Sequence, residues 1–257
     1  RALMQPIEGF SVLVTGGGSG IGRGVAEYMA ARGATVTITG RRRDRLEEAA
    51  AAIGPACAVA AGDITVEADR VRMVETAVRH GGGLQGLVNT AGNMLRGPIG
   101  ELRAEDILDV LNANVVAGMR LTGLAAPHLA RDGGGVIFVG SVHTRRAFPG
   151  ASPYAASKGA VEVLSKVLAA ELGPRKIRVN CVVPGAVPSE LNVRAGVAAS
   201  AEENLARLKS LEEDHPLGRI GTPGDLAEAV DYLLRAEWTT GTSVVVDGGL
   251  ALGVSFK

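Results

Sequence analysis

The sequence predicts an α/β fold, a single doubly wound sheet of seven parallel strands with helices on both faces. Two observations carry this. Short β-branched runs alternate with longer alanine- and leucine-rich stretches along the whole chain, which is the pattern of repeated βαβ units. A glycine-rich turn, Thr15-Gly-Gly-Gly-Ser-Gly-Ile-Gly22, separates the first such run from the first helical stretch, at the carboxyl end of a strand where doubly wound sheets place their ligands. With 257 residues, 46% of them hydrophobic, the chain can bury one large core, so residues 1–257 are expected to form one domain.

In chain order, strands are expected at 11–14, 35–39, 56–60, 86–89, 135–139, 177–183 and 243–246, each a short run rich in Val, Ile or Thr or a compact apolar run. Between them, apolar residues recur at helical spacing over 21–31, 43–52, 67–79, 104–129, 153–172 and 225–234. Right-handed crossovers then join parallel neighbours. The segment 189–216 breaks the pattern: it is charged, alanine-rich, bounded by Pro188 and Pro216, and long for a strand connection. It reads as a candidate substrate lid made of short helices.

Composition narrows the function. Lys plus Arg equals Asp plus Glu at 27 each and aromatics are 3%, so neither a field for nucleic acid or anionic membrane nor a row of stacking platforms is present. Cys57 and Cys181 stand alone in strand-like segments, which fits a reducing cytoplasm and predicts no disulfide framework. No apolar run reaches membrane-span length, and residues 1–9 lack the apolar centre of a secretory signal. The four histidines, at 80, 128, 143 and 215, show no metal-ligand spacing, so no metal is expected. His143 could line the substrate cleft, followed by Arg145 and Arg146 as loop charges.

The glycine turn leaves a helix N-terminus free to receive a pyrophosphate. Two residues past the fifth strand stands Ser141, and Tyr154-Ala-Ala-Ser-Lys158 follows on a helical stretch. Residues at i and i+4 share a helix face, so a phenol and an ammonium are within reach. A phenol with an ordinary pKa near 10 is a poor base at neutral pH unless a cation stabilises its anion.

Taken together, Thr15-Gly16 with Gly20-Ile21-Gly22, Asp63-Ile64, Asn89-Thr-Ala-Gly92, Asn114, Ser141, Tyr154, Lys158 and Pro184-Gly-Ala-Val-Pro-Ser189 resemble the short-chain dehydrogenase/reductase family in order and spacing. Gly218-Arg-Ile-Gly-Thr-Pro223 and the run from Thr240 to Gly249 extend the resemblance to about residues 8–252. The chain is most similar to the 3-oxoacyl carrier-protein reductase-like branch. Thr90 replaces an asparagine of the family's NNAG, and Ser189 replaces a threonine while keeping its hydroxyl.

The resemblance implies a Rossmann-type fold, an NAD(P)-dependent oxidoreductase, and a catalytic set of Asn114, Ser141, Tyr154 and Lys158. The implied cofactor contacts are Gly16, Gly18, Ser19, Gly20, Ile21 and Gly22 in the turn, with Asp63 and Ile64 at the adenine. Asn89, Ala91 and Gly92 follow at the fourth strand, Tyr154 and Lys158 at the ribose, and Pro184, Gly185, Val187 and Ser189 at the carboxamide. Asn89 equally fits a brace between strands. At the end of the second strand stands Gly40 instead of a carboxylate, then Arg41 and Arg42. A guanidinium fork suits a 2′-phosphate, so NADP(H) is expected in preference to NAD(H).

The expected reaction is hydride transfer between NADP(H) and a ketone or secondary alcohol. An NAD-dependent dehydrogenase of a sugar, polyol or steroid is the alternative, and a non-catalytic dinucleotide-binding regulator is an alternative of another class. The stretch 153–172 carries apolar residues around its whole circumference, too many for one wet face. With the resemblance, this predicts a homo-oligomer, a tetramer.

Overall fold

The computed structural model describes residues 4–254 except 130 and 132. Seven parallel strands form one sheet in the order β3-β2-β1-β4-β5-β6-β7. They are β1 Ser11–Thr15, β2 Thr35–Gly40, β3 Cys57–Ala61, β4 Gly86–Asn89, β5 Gly134–Val139, β6 Ile177–Pro184 and β7 Ser243–Val246. Strand boundaries fall within one residue of those read from the β-branched runs. The order reverses between β1 and β4, so the crevice at their carboxyl ends is the natural ligand position in such a sheet.

Each strand feeds two cores with period-2 alternation. Val12 and Val14 join Val36, Ile38, Ile137 and Val182 on one face, while Leu13 joins Leu87, Val136 and Phe138 on the other. The first face is covered by α1 Gly20–Ala30, α2 Arg43–Ile53 and α9 Pro223–Arg235, through Val25, Met29, Leu46, Leu226 and Val230. The second is covered by α3 Glu67–Gly81, α5 Ala117–Leu129 and α6 Ser152–Leu172, through Met73, Leu121, Leu129 and Val161. Strands buried on both faces read as continuous apolar runs, which is why the sequence announced them.

One helical expectation needs correction. The stretch 104–129 is α4 Ala104–Leu111, a π-helical turn Asn112–Val116, and α5. The Ala117 N–H reaches back to the Asn112 carbonyl, an i→i+5 bond. Asn114 within this turn bonds the backbone of Asn93, accepting from its N–H at 2.7 Å and donating to its carbonyl at 2.9 Å. A one-turn bulge shifts the apolar stripe too little to be seen as a break. The segment 189–216 contains α7 Leu191–Arg194, α8 Ala201–Lys209 and a 3₁₀ turn Glu212–Asp214.

Among the described residues no helix is long and apolar enough to cross a membrane. Nor, among them, is there a cluster of three or more His, Cys, Asp or Glu that could hold a metal. Cys57 and Cys181 are free thiols, pushed up to about 11 and about 12 by burial.

Candidate active site

The carboxyl ends of β1, β2, β4, β5 and β6 open into a cavity of about 850 Å³. Its floor is the turn after β1. Gly16 sits at φ 67°, left-handed backbone that glycine adopts without strain. A Cβ on Gly22 would lie 2.5 Å from the Gly16 carbonyl oxygen and 2.6 Å from Thr90 Oγ1, so only glycine lets the turn close onto the β4 loop. Ser19 caps α1 without any side-chain bond, which leaves the first amides of the helix, over Gly20, Ile21 and Gly22, facing the cavity. Such an uncapped N-terminus stabilises anionic oxygen, and the residues present fit a pyrophosphate.

The β4 loop is tied to β1 by Thr15 and Thr90. Thr15 Oγ1 accepts from the Thr90 N–H at 3.1 Å and the Ala91 N–H at 3.0 Å, and the Thr90 hydroxyl donates to the Thr15 carbonyl. The side-chain amide of Asn89 is buried with no hydrogen-bond partner among the described residues and does not reach the cavity wall, whereas Ala91 and Gly92 do. Bracing between these strands therefore falls to Thr90, not to Asn89. Asp63 and Ile64 also line the cavity; Asp63 Oδ1 accepts from the Thr65 N–H and hydroxyl at 2.8 and 2.7 Å, which orients the carboxylate.

At the end of β2, Gly40, Arg41 and Arg42 reach the wall. Arg42 forms an ion pair with Glu190 from the segment after β6, while Arg41 has no carboxylate partner among the described residues. Arg194 of α7 lies close enough that burial and the positive fields of Arg42 and Arg41 lower its pKa. This cationic end could hold a phosphate. Arg194 was not foreseen, since α7 carries no motif.

The opposite end holds the polar groups of α6 and the β5 loop. Tyr154 and Lys158 are 7% and 6% exposed. Burial pushes the Tyr154 phenol up to about 12, opposed by the neighbouring Ser141 hydroxyl, and pulls the Lys158 ammonium down to about 8. Lys158 Nζ donates to the Val139 carbonyl at 2.9 Å and stands 5.5 Å from the centre of the Tyr154 ring. At neutral pH the pair is a neutral phenol beside a cation, an arrangement that can give a proton to a carbonyl oxygen or take one from a hydroxyl. Asn114 lies behind it, outside the cavity lining, with Nδ2 donating to Ser157 Oγ at 2.9 Å. Arg145 and Arg146 are part-exposed loop charges that also pair, with Glu162 at 2.5 Å and with Asp214 at 3.4 Å.

The loop after β6 closes the wall with Pro184, Gly185, Val187 and Ser189. Asn204 of α8 donates to the Ser189 carbonyl at 2.8 Å and accepts from Asn192 at 2.9 Å, fastening α8 over the cavity. Leu208 of α8 packs with Val142, Ile220 and Leu250. Of the residues expected from the sequence, all but Asn89 and Asn114 meet on this one cavity.

Comparison with known proteins agrees with this architecture. Residues 16–251 match the family described as Enoyl-(Acyl carrier protein) reductase. The chain is 38% identical over 244 residues, 93% of its length and 95% of the relative's, to a protein named for a ketoacyl-reductase role in the granaticin polyketide synthase of Streptomyces violaceoruber. It is 35% identical to the human 3-oxoacyl-[acyl-carrier-protein] reductase, over 93% of this chain and 97% of that one. The crystal structure of 3-ketoacyl-(acyl-carrier-protein) reductase from Brucella melitensis complexed with NADH superposes with a TM-score of 0.86 at 32% identity, covering 95% and 99% of the two chains. The chain belongs to the short-chain dehydrogenase/reductase family of NAD(P)-dependent oxidoreductases. Within that family it falls in the ketoacyl reductase-like branch.

Proposed function

We propose that this chain, acting as one domain over residues 1–257, reduces a ketone to a secondary alcohol, or runs the reverse, with NADP(H). The observation that supports this best is the meeting of an uncapped glycine turn and a buried Tyr154–Lys158 pair on one cavity. The bound dinucleotide supplies the hydride to the carbonyl carbon. Tyr154 gives its phenolic proton to the developing alkoxide, Ser141 donates a hydrogen bond to the same oxygen, and Lys158 stabilises the phenolate left behind. Asn114 fixes the π-helical turn and Ser157 beside them. The segment 189–216 acts as the substrate lid, held by Asn204.

NADP(H) is proposed over NAD(H) because Gly40 offers no carboxylate and Arg41 has no carboxylate partner among the described residues. One observation favours the NAD-dependent alternative: Arg42 is already engaged by Glu190. A panel of ketones and secondary alcohols, followed by NADPH or NADH absorbance, tests the reading. Turnover of a ketone with NADPH is expected, with a smaller kcat/KM for NADH. NADPH binding without turnover across the panel would leave the regulator reading in its place.

Homo-oligomerisation and a cytoplasmic setting complete the proposal. Ala156, Val163, Val167 and Ala170 form an exposed stripe on α6, with Val163 at 61% and Val167 at 48%, which a second copy would cover. Light scattering at micromolar concentration should give a tetramer mass; a monomer would refute this part.

A further inference from the structure

We propose that His143 sets the direction in which Ser141 gives its hydroxyl proton, which makes it a positioning residue for the carbonyl chemistry proposed above. Ser141 is the last residue before a 3₁₀ turn, Val142–Thr144, so His143 folds back over it. Two nitrogens of His143 meet Ser141 Oγ: the backbone N–H at 3.3 Å and ring Nδ1 at 2.9 Å. The ring is held by Phe148, with centroids 4.4 Å apart, and by an edge contact to Tyr154 at 5.1 Å. Its remaining nitrogen, Nε2, is buried with no hydrogen-bond partner among the described residues.

That orphan decides the tautomer. A neutral imidazole carries one N–H. On Nε2 it would be a buried donor with nothing to receive it, whereas on Nδ1 it meets Ser141 Oγ and leaves behind a bare lone pair. Buried donors without acceptors are the costlier and rarer of the two. Nδ1–H therefore donates to Ser141, and the backbone N–H of His143 donates as well. A hydroxyl oxygen has two lone pairs, and both are then occupied. The Ser141 proton has to point away from the turn, toward Tyr154 and the cavity, where a carbonyl oxygen would receive it.

The electrostatics agree: burial, with the fields of Arg96 and Lys158, pushes His143 down to about 4, so the ring stays neutral. Arg145 and Glu162 hold the turn in place at 2.5 Å. Without His143, Ser141 would keep a free lone pair and could accept from Tyr154 instead of donating, and the two hydroxyls would compete over one proton direction.

The inference depends on the proposed role of Ser141, so the test has one arm that needs no turnover. In protein labelled with ¹⁵N-histidine at neutral pH, His143 should show a protonated Nδ1 and a bare Nε2, assigned by the loss of its signals in His143→Asn. An Nε2–H tautomer, or an imidazolium, would overturn the proposal. The second arm uses the ketone turned over in the panel and reads single-turnover hydride transfer from NADPH. His143→Leu and His143→Asn have nearly the same shape, but only Asn keeps an N–H near the Nδ1 position. His143→Leu should slow transfer about tenfold, the scale of one hydrogen bond, and His143→Asn should recover most of it, both with unchanged NADPH affinity. In a Ser141→Ala background, His143→Leu should add no further loss; multiplying effects would mean that His143 merely packs. Absence of any carbonyl turnover would sink the proposed function, and the tautomer measurement alone would then decide the Ser141 bond.

Discussion

The two ends of the cavity are built on opposite terms. At the α6 end, Ser141, Tyr154 and Lys158 are all under 9% exposed, and they sit among buried neighbours on β5 and α6. At the β2 end, Arg41 is exposed and Arg42, with its side chain 42% exposed, makes its pair with a residue of the proposed lid. Burial at the first end moves proton affinities, upward to about 12 for the phenol and downward to about 8 for the ammonium. At the second end the guanidiniums stay charged at any working pH, and water and salt weaken what they can contribute. On the proposed reading, chemistry is thus concentrated where solvent is excluded, and cofactor choice where solvent reaches.

The largest effect should come from the buried end. Tyr154→Phe keeps the packing of the ring and removes the proton donor. General acid–base groups contribute typically ~10² to 10⁴-fold, so turnover should fall at least ~100-fold while NADPH affinity is retained. A variant keeping more than about a tenth of the single-turnover rate would show that Tyr154 is not the acid. The pH dependence of the unaltered protein has a definite sign. Reduction needs the protonated phenol, which a pKa raised to about 12 preserves through the neutral range; oxidation needs the phenolate and should rise with pH. For stability, a phenol raised from its ordinary value of 10.0 contributes fully below about pH 10, and that contribution is lost as pH rises toward 12.

Much of this contrast was legible in the sequence, for separable reasons. Strands buried on both faces leave continuous apolar runs, and Gly16 and Gly22 are dictated by backbone, so both stand out without coordinates. Tyr154 and Lys158 are local, four residues apart on one helix. What stayed hidden depends on contacts between distant segments. The π-helical turn at Asn112–Val116 carries the bonds between Asn114 and Asn93, a contact between distant segments that periodicity cannot register. The bracing role passed to Thr90 because its hydroxyl reaches Thr15, while the Asn89 side chain has no hydrogen-bond partner among the described residues. Arg145 and Arg146 are part-exposed loop charges, as they read, but their partners Glu162 and Asp214 come from distant segments. His143 was within view as a cleft residue, but its bond to Ser141 depends on the 3₁₀ turn that folds it back.

The smaller effect belongs to the exposed end, and it sharpens the contrast most. Charge-assisted bonds from Arg41 to a 2′-phosphate would favour NADPH over NADH by about 10 to 100-fold in affinity, and exposure places the expectation at the low end of that range. Gly40 has open space for a side chain, the nearest atom to an added Cβ being Leu46 Cδ2 at 3.7 Å. The double change Gly40→Asp with Arg41→Ile should therefore fold normally. The new carboxylate repels the phosphate and accepts from a ribose 2′-hydroxyl, so the preference should reverse toward NADH. Dissociation constants for both cofactors, measured at two ionic strengths, decide it. The NADPH advantage of the unaltered protein should shrink at high salt, as an exposed pairing must, whereas the loss in Tyr154→Phe should not. Equal or tighter NADH binding by the unaltered protein would mean that Arg41 is a solvated charge and that Glu190 holds Arg42 permanently, and the NAD-dependent reading would then stand in place of the NADP-dependent one.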